Sequence, residues 1–250
     1  MSYRHLPYEE YFLNTGRDYN RTGRATCEVE YVPVRYTTGW LERLLKLSHE
    51  ANYAVIYDGE RDVIQLHFQW TVGFRDWFAN VFEFSSKYYD AIRYKNGLLQ
   101  LRVHHGWGDM YKAIKHHVRG DWKALIEKHP EAETEIIGWS LGSAIAILCA
   151  QDLNYNFKLK PRLYTYGSVK PFKYVRKNRN QMLEYLSGVC ASCMNFADVN
   201  DLIAYMPPFY GFTSMREVKL GLEKRTLKRL LDPLKYHTHY DMAELYEGIE

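Results

Sequence analysis

Six residues, Gly138-Trp139-Ser140-Leu141-Gly142-Ser143, constrain this chain more than any others, because they set a G-x-S-x-G pentapeptide between a strand-like and a helix-like stretch. Upstream, residues 133–139 (ETEIIGW) carry the β-branched pair Ile136 and Ile137. Downstream, residues 143–153 (SAIAILCAQDL) are rich in Ala and Leu with a helical apolar stripe. A serine on so sharp a strand-to-helix turn sits in strained backbone with its hydroxyl presented, and the glycines give the room the helix needs to begin almost on top of the strand. The helix also directs its N-terminal amides and the positive end of its dipole at any oxyanion that forms there. At ordinary Gly and Ser usage the pentapeptide arises by chance in about one chain of this length in ten, so its weight comes from its flanks.

Around this centre, strand-like and helix-like stretches alternate. Residues 53–57 (YAVIY), the Asp58-Gly59 turn and residues 63–70 (VIQLHFQW) read as a β-hairpin. Helices are expected over residues 40–52 and 76–84. Another is expected over 109–128, where Ile114, Val118, Trp122, Leu125 and Ile126 form a stripe closed by His129-Pro130. Residues 162–166 and 191–197 are further strands. Such alternation predicts an α/β fold, a mostly parallel central sheet covered by helices on both faces. The whole chain, 1–250, reads as one domain, with residues 1–39 an irregular or β-rich lead-in that wraps the core.

Composition excludes several classes. A net charge of +3 with 25% charged residues is too mild to indicate a nucleic-acid partner. The N-terminus lacks a basic segment followed by an apolar one, and no apolar run approaches the ~20 residues that span a bilayer, so the expectation is a soluble or peripheral protein of the cytoplasm. Of the cysteines Cys27, Cys149, Cys190 and Cys193, the last two have C-x-x-C spacing without a second pair, which reads as small core thiols rather than a zinc or redox site. His116 and His117 lack the i, i+4 spacing of a zinc helix. No metal or organic cofactor is expected.

A nucleophilic serine needs a base, a carboxylate to orient that base, and two donors aimed at the oxyanion. In α/β-hydrolases the acid and then the histidine follow the serine along the chain. With 30 acids and 10 histidines, that order alone selects nothing. Five local strings select more. They are Phe68-Gln69-Trp70-Thr71 with Asp76-Trp77, Val103-His104-His105-Gly106-Trp107, the elbow itself, Tyr164-Thr165-Tyr166-Gly167, and the segment from Asn200-Asp201-Leu202-Ile203 to Pro207-Pro208. In this order and spacing the chain resembles the class 3 lipases over roughly residues 63–241.

That resemblance implies the α/β-hydrolase fold and a carboxylic ester hydrolase (lipase, phospholipase A1 or esterase) acting on acyl esters of lipids. Ser140 would be the nucleophile, Asp201 the orienting acid, and the backbone N–H groups of Thr71 and Leu141 the oxyanion hole. The base falls in Tyr236-His237-Thr238-His239-Tyr240-Asp241, where His237 is favoured and His239 is the alternative. Asp198 is a weaker candidate for the acid, and His104 matches a structural position of the family. Gln69-Trp70 and Trp139 depart from the usual Arg-Gly and His, which keeps open a second reading, a non-catalytic lipid- or protein-binding module on the same fold. Tyr88, Tyr89 and Tyr94 read either as part of a lid or as rim and core residues. Residues 216–235, basic and leucine-rich, read as an amphipathic helix, either solvated or adsorbed to an anionic lipid surface.

Overall fold

The computed structural model describes residues 31–37, 49–69, 86–95, 97–208, 211–220 and 237. Eleven strands are described: β1 (Val32–Tyr36), β2 (His49–Asp58), β3 (Val63–Phe68), β4 (Ser86–Tyr94), β5 (Gly97–His104), β6 (Glu133–Trp139), β7 (Arg162–Tyr166), β8 (Phe172–Lys173), β9 (Ser192–Asp198), β10 (Phe212–Thr213) and β11 (Glu217–Leu220). Three α-helices accompany them: α1 (His105–Lys128), α2 (Leu141–Phe157) and α3 (Arg179–Ser187). The main sheet has seven strands in the order β1-β2-β3-β6-β7-β9-β11. The pairs β1/β2 and β2/β3 are antiparallel, and every pair from β3 to β11 is parallel. A second, antiparallel sheet, β10-β8-β5-β4, stands apart from it and was not anticipated from the sequence.

Helix α2 explains why this sheet is parallel at its centre. Every residue from Leu141 to Leu153 is buried, so the helix carries no polar stripe and must be enclosed. It packs against β3, β6 and β7, and its Ala144, Ile147 and Leu148 join Leu66, Ile136 and Leu163 in one core cluster. Helix α1 is amphipathic instead, burying Trp107, Tyr111, Ile114, Val118 and Trp122 at helical spacing. Between the two helices, Asp152 accepts hydrogen bonds from Tyr111, Arg119 and Asn156, so its buried carboxylate is fully engaged. Helix α3 joins the same layer, Gln151 donating to the Tyr185 hydroxyl at 3.1 Å.

The opposite face of the sheet is buried as well, and it is polar near the strand starts. All six residues of β3 are buried, so Gln65 and His67 need partners. Gln65 Nε2 donates to Glu135 at 3.2 Å, and its carbonyl oxygen lies 3.0 Å from His67 Nε2. Arg61 pairs with the same Glu135 at 3.4 Å. Toward the strand ends this face turns aromatic, with Trp139 stacked on Tyr166 and Tyr166 on Phe196.

Two expectations need correction. Residues 49–52 are strand rather than the end of a helix, because His49–Asn52 pairs residue by residue with Tyr36–Pro33 at the sheet edge. The Glu217–Leu220 stretch, expected as the start of an amphipathic helix, is β11. Its alternation of polar and apolar residues suits a strand equally well, and the free edge of β9 accepts it. Of the two readings of Tyr88, Tyr89 and Tyr94, the rim-and-core one fits: all three belong to β4, Tyr89 and Tyr94 pack against the core, and Tyr94 meets Tyr185 edge-on at 5.4 Å. The lead-in contributes β1 to the main sheet. The helix expected over 76–84, residues 40–48 of the one expected over 40–52, and residues 221–235 lie outside the described residues. No described helix is long and apolar enough to cross a membrane.

His67 yields a testable consequence. Burial, reinforced by Arg61, lowers its pKa from 6.5 to about 3. Below the unfolded value, therefore, the unfolded chain takes up a proton that the folded chain refuses. This contribution to stability is intact above about pH 6.5 and is lost as pH falls toward 3. Urea midpoints are expected to decline between about pH 7 and 4, and His67→Gln is expected to flatten that decline. A variant profile as steep as the wild type would contradict the assignment.

Candidate active site

Strand β6 ends at Trp139, and α2 begins at Leu141, so a single residue makes the turn. That residue, Ser140, has φ 52° and ψ −121°, a conformation that costs a non-glycine residue roughly 1–3 kcal/mol. Its neighbours hold it there. Ser140 N–H donates to Tyr166 O at 2.9 Å, Ser143 N–H donates to Ser140 O at 3.1 Å, and the Ser143 hydroxyl donates to the same carbonyl. A Cβ on Gly138 would stand 2.5 Å from Gly142 O, and one on Gly142 would collide with the Phe68 carbonyl oxygen. Both glycines of the pentapeptide are thus required by backbone-to-backbone contact.

Asp201 lies beyond the end of β9 in a turn that fixes one oxygen of its carboxylate. Oδ1 accepts from the N–H groups of Ile203 at 2.9 Å and Ala204 at 3.3 Å. Oδ2 is left facing His237 Nδ1 at 2.8 Å, and His237 Nε2 lies 2.7 Å from Ser140 Oγ. A carboxylate oxygen only accepts, so Nδ1 carries the proton of the neutral ring and Nε2 is the acceptor for the serine hydroxyl. All three groups are buried, Ser140 at 4%, His237 at 2% and Asp201 at 0% exposure.

Two further features hold the imidazole. Gly167, directly after β7, has φ +57°, and a Cβ there would stand 2.7 Å from His237 Cε1, 2.9 Å from Nδ1 and 3.1 Å from Asp201 Oδ2. The ring and the carboxylate therefore close over a bare backbone. Trp139 approaches His237 edge-on, with centroids 6.2 Å apart, and is itself backed by Tyr166.

The sequence-predicted residues Ser140, Asp201 and His237 thus converge. Asp198, the weaker acid candidate, accepts from Asn200 N–H at 2.6 Å. Leu141 occupies the first position of α2, where its N–H has no acceptor within the helix. Thr71, Trp70 and His239 lie outside the described residues. His104 is fully buried and stacked on Trp107 at 3.9 Å, a packing role. Among the described residues no group of His, Cys, Asp and Glu has a metal-binding arrangement, and Cys149, Cys190 and Cys193 are free thiols. Burial pushes the Cys190 thiol up beyond the usual range and raises Cys193 to about 11, which disfavours the thiolate. The contact of Gly167 with the histidine was missed. Its signal was a glycine at the C-terminal end of the parallel strand beside the elbow, the edge where α/β sheets place their sites.

Comparison with known proteins bears on the family and the fold. A family model described as Lipase (class 3) matches residues 66–210, more than half of the chain. No curated protein sequence matches it. Among solved structures, the Rhizomucor miehei lipase in its propeptide complex superposes with a TM-score of 0.59 at 19% identity, over 85% of this chain and 67% of that one. A triacylglycerol lipase whose catalytic centre is described as a serine protease triad gives 0.57 at 19% identity, over 79% and 69%. A mutant form of MDLA from Penicillium cyclopium gives 0.57 at 17% identity, over 75% of this chain but only 63% of that one. These likenesses show the α/β-hydrolase fold.

Gly167→Ala forces a methyl group into the His237–Asp201 junction at a positive φ. Its expected effect is a fall of at least about tenfold in kcat for a soluble nitrophenyl ester, with KM much less affected, because a misplaced base costs the transition state more than the ground state. A change confined to KM would contradict the positioning role.

Proposed function

The chain belongs to the class 3 lipase family, and from that premise we propose that it is a carboxylic ester hydrolase acting on acyl esters of lipids through Ser140, His237 and Asp201. The observation that carries this reading is the continuous hydrogen-bond chain from Ser140 Oγ through His237 to Asp201 Oδ2. Ser140 Oγ attacks the acyl carbonyl while His237 Nε2 takes its proton. The imidazolium so formed is stabilised by the Asp201 carboxylate, whose other oxygen the backbone already holds. The tetrahedral intermediate collapses as His237 returns the proton to the departing alcohol, leaving an acyl-serine. Water then repeats the sequence in reverse and frees the acid.

The oxyanion is received by the Leu141 N–H at the start of α2, where the helix dipole adds its positive end, with the Thr71 N–H as the second donor by family resemblance. None of these steps calls for a metal ion or organic cofactor.

A chain-length series of nitrophenyl esters, from acetate to palmitate, with and without detergent or lipid, tests the proposal. Ser140→Ala is expected to lower turnover by at least about 10³-fold, and Asp201→Asn by on the order of 10⁴ near neutral pH. Turnover should rise when an interface is supplied, and the preferred chain length separates lipase from short-chain esterase. Hydrolysis unchanged in Ser140→Ala would remove the proposal, and absence of turnover on every ester would favour the binding-module reading.

A further inference from the structure

The second sheet has one face in the core and one in solvent. Ile92, Leu99, Leu101, Val103 and Phe172 are fully buried. The alternate positions point outward, and register places them side by side: Arg93 opposite Leu98, Ala91 opposite Gln100, and Arg102 opposite Lys173. Leu98 is 68% exposed at the start of β5. Beyond β8 the chain continues through Val175, 47% exposed, into Arg176, Lys177 and Arg179, all exposed.

This face gathers positive charge without acids among the paired outward positions just named. The Arg102 guanidinium is held by the Ser86 carbonyl and hydroxyl rather than by a carboxylate. Partial burial and the adjacent Arg102 push the Lys173 ammonium below its ordinary pKa, as expected for like charges set side by side. Glu184, at the edge, pairs with Lys95. The face also lies at the catalytic end of the main sheet. From Gly167, against the His237 ring, the chain runs through Lys170 directly into β8, while His104 at the end of β5 donates its N–H to Pro171 O.

We propose that the outward face of this small sheet, with the adjoining residues 175–179, is a docking surface for an anionic phospholipid bilayer. The inference deepens the lipid-substrate reading and rests on it for the choice of partner. Charge complementarity selects the anionic leaflet. Leu98 and Val175, apolar side chains exposed among cations, select a bilayer over a nucleic acid, since they gain by entering the boundary between headgroups and acyl chains, whereas a phosphate backbone offers them nothing.

The test is co-sedimentation of the Ser140→Ala protein with vesicles of phosphatidylcholine, alone or mixed with phosphatidylglycerol. Because that variant performs no turnover, binding is read independently of the ester assays, and either result leaves the other standing. The protein is expected to bind the mixed vesicles and not the neutral ones, with affinity falling as salt rises. Arg93→Glu/Arg176→Glu/Lys177→Glu is expected to weaken binding by roughly 100-fold or more. Lys112→Glu/Lys123→Glu/Lys128→Glu on α1 makes the same change in net charge and should leave binding within a few-fold. Leu98→Ser should weaken it measurably without any change of charge. Circular dichroism checks that each variant is folded, and Arg176→Glu and Lys177→Glu singly replace the triple variant if it is not. Equal binding to neutral vesicles, equal loss in both triple variants, or tighter capture of single-stranded RNA than of vesicles by the same face would overturn the proposal.

Discussion

Helix α2 starts against the backbone of β3 and β6 with no side chain between them, and the chemistry of the molecule depends on that approach. Gly138 and Gly142 meet each other and the Phe68 carbonyl at distances that exclude a Cβ. The chain must therefore turn within one residue, and that residue must take a positive φ. The strain at Ser140 is borne by the enclosed helix, whose first thirteen residues, Leu141 to Leu153, are all buried and cannot shift independently. The result is a hydroxyl fixed in direction, beside the N-terminus of the most deeply buried of the described helices.

The second half of the site is assembled across the sheet. Asp201 is anchored by its own turn through Ile203 and Ala204, and its other oxygen faces His237. Gly167 lets the imidazole lie flush with the backbone, while Trp139 borders it edge-on. The three parallel strands β6, β7 and β9 thus contribute one element each: the elbow, the glycine platform and the acid. Their adjacent order in the sheet makes a contact between residues 140, 167, 201 and 237 local in space.

Much of this was legible because it follows from short-range rules. The elbow was readable from two glycines and a serine between a β-branched run and an Ala-rich run. Asp201 was readable from its local string, and α1 from its apolar spacing. The stretches that misled were those whose pattern fits two structures. The segment His49–Asn52 became strand because β1 offers it a partner, and Glu217–Leu220 became strand because β9 had an open edge, so tertiary pairing decided where local propensity did not. The second sheet escaped notice because β8 and β10 are two residues each and exist only through their neighbours. The choice of His237 over His239 rested on family spacing, since nothing in residues 236–241 alone tells which ring reaches Asp201.

The most direct measurement is exposure of the protein to a fluorophosphonate probe, followed by mapping of the adduct by peptide mass spectrometry. If Ser140 is activated by the buried His237–Asp201 pair, a single adduct forms on Ser140, and its rate of formation collapses in His237→Ala while the fold is retained. An unmodified Ser140, or labelling at an undiminished rate without His237, would show that the hydrogen-bond chain does not activate the serine.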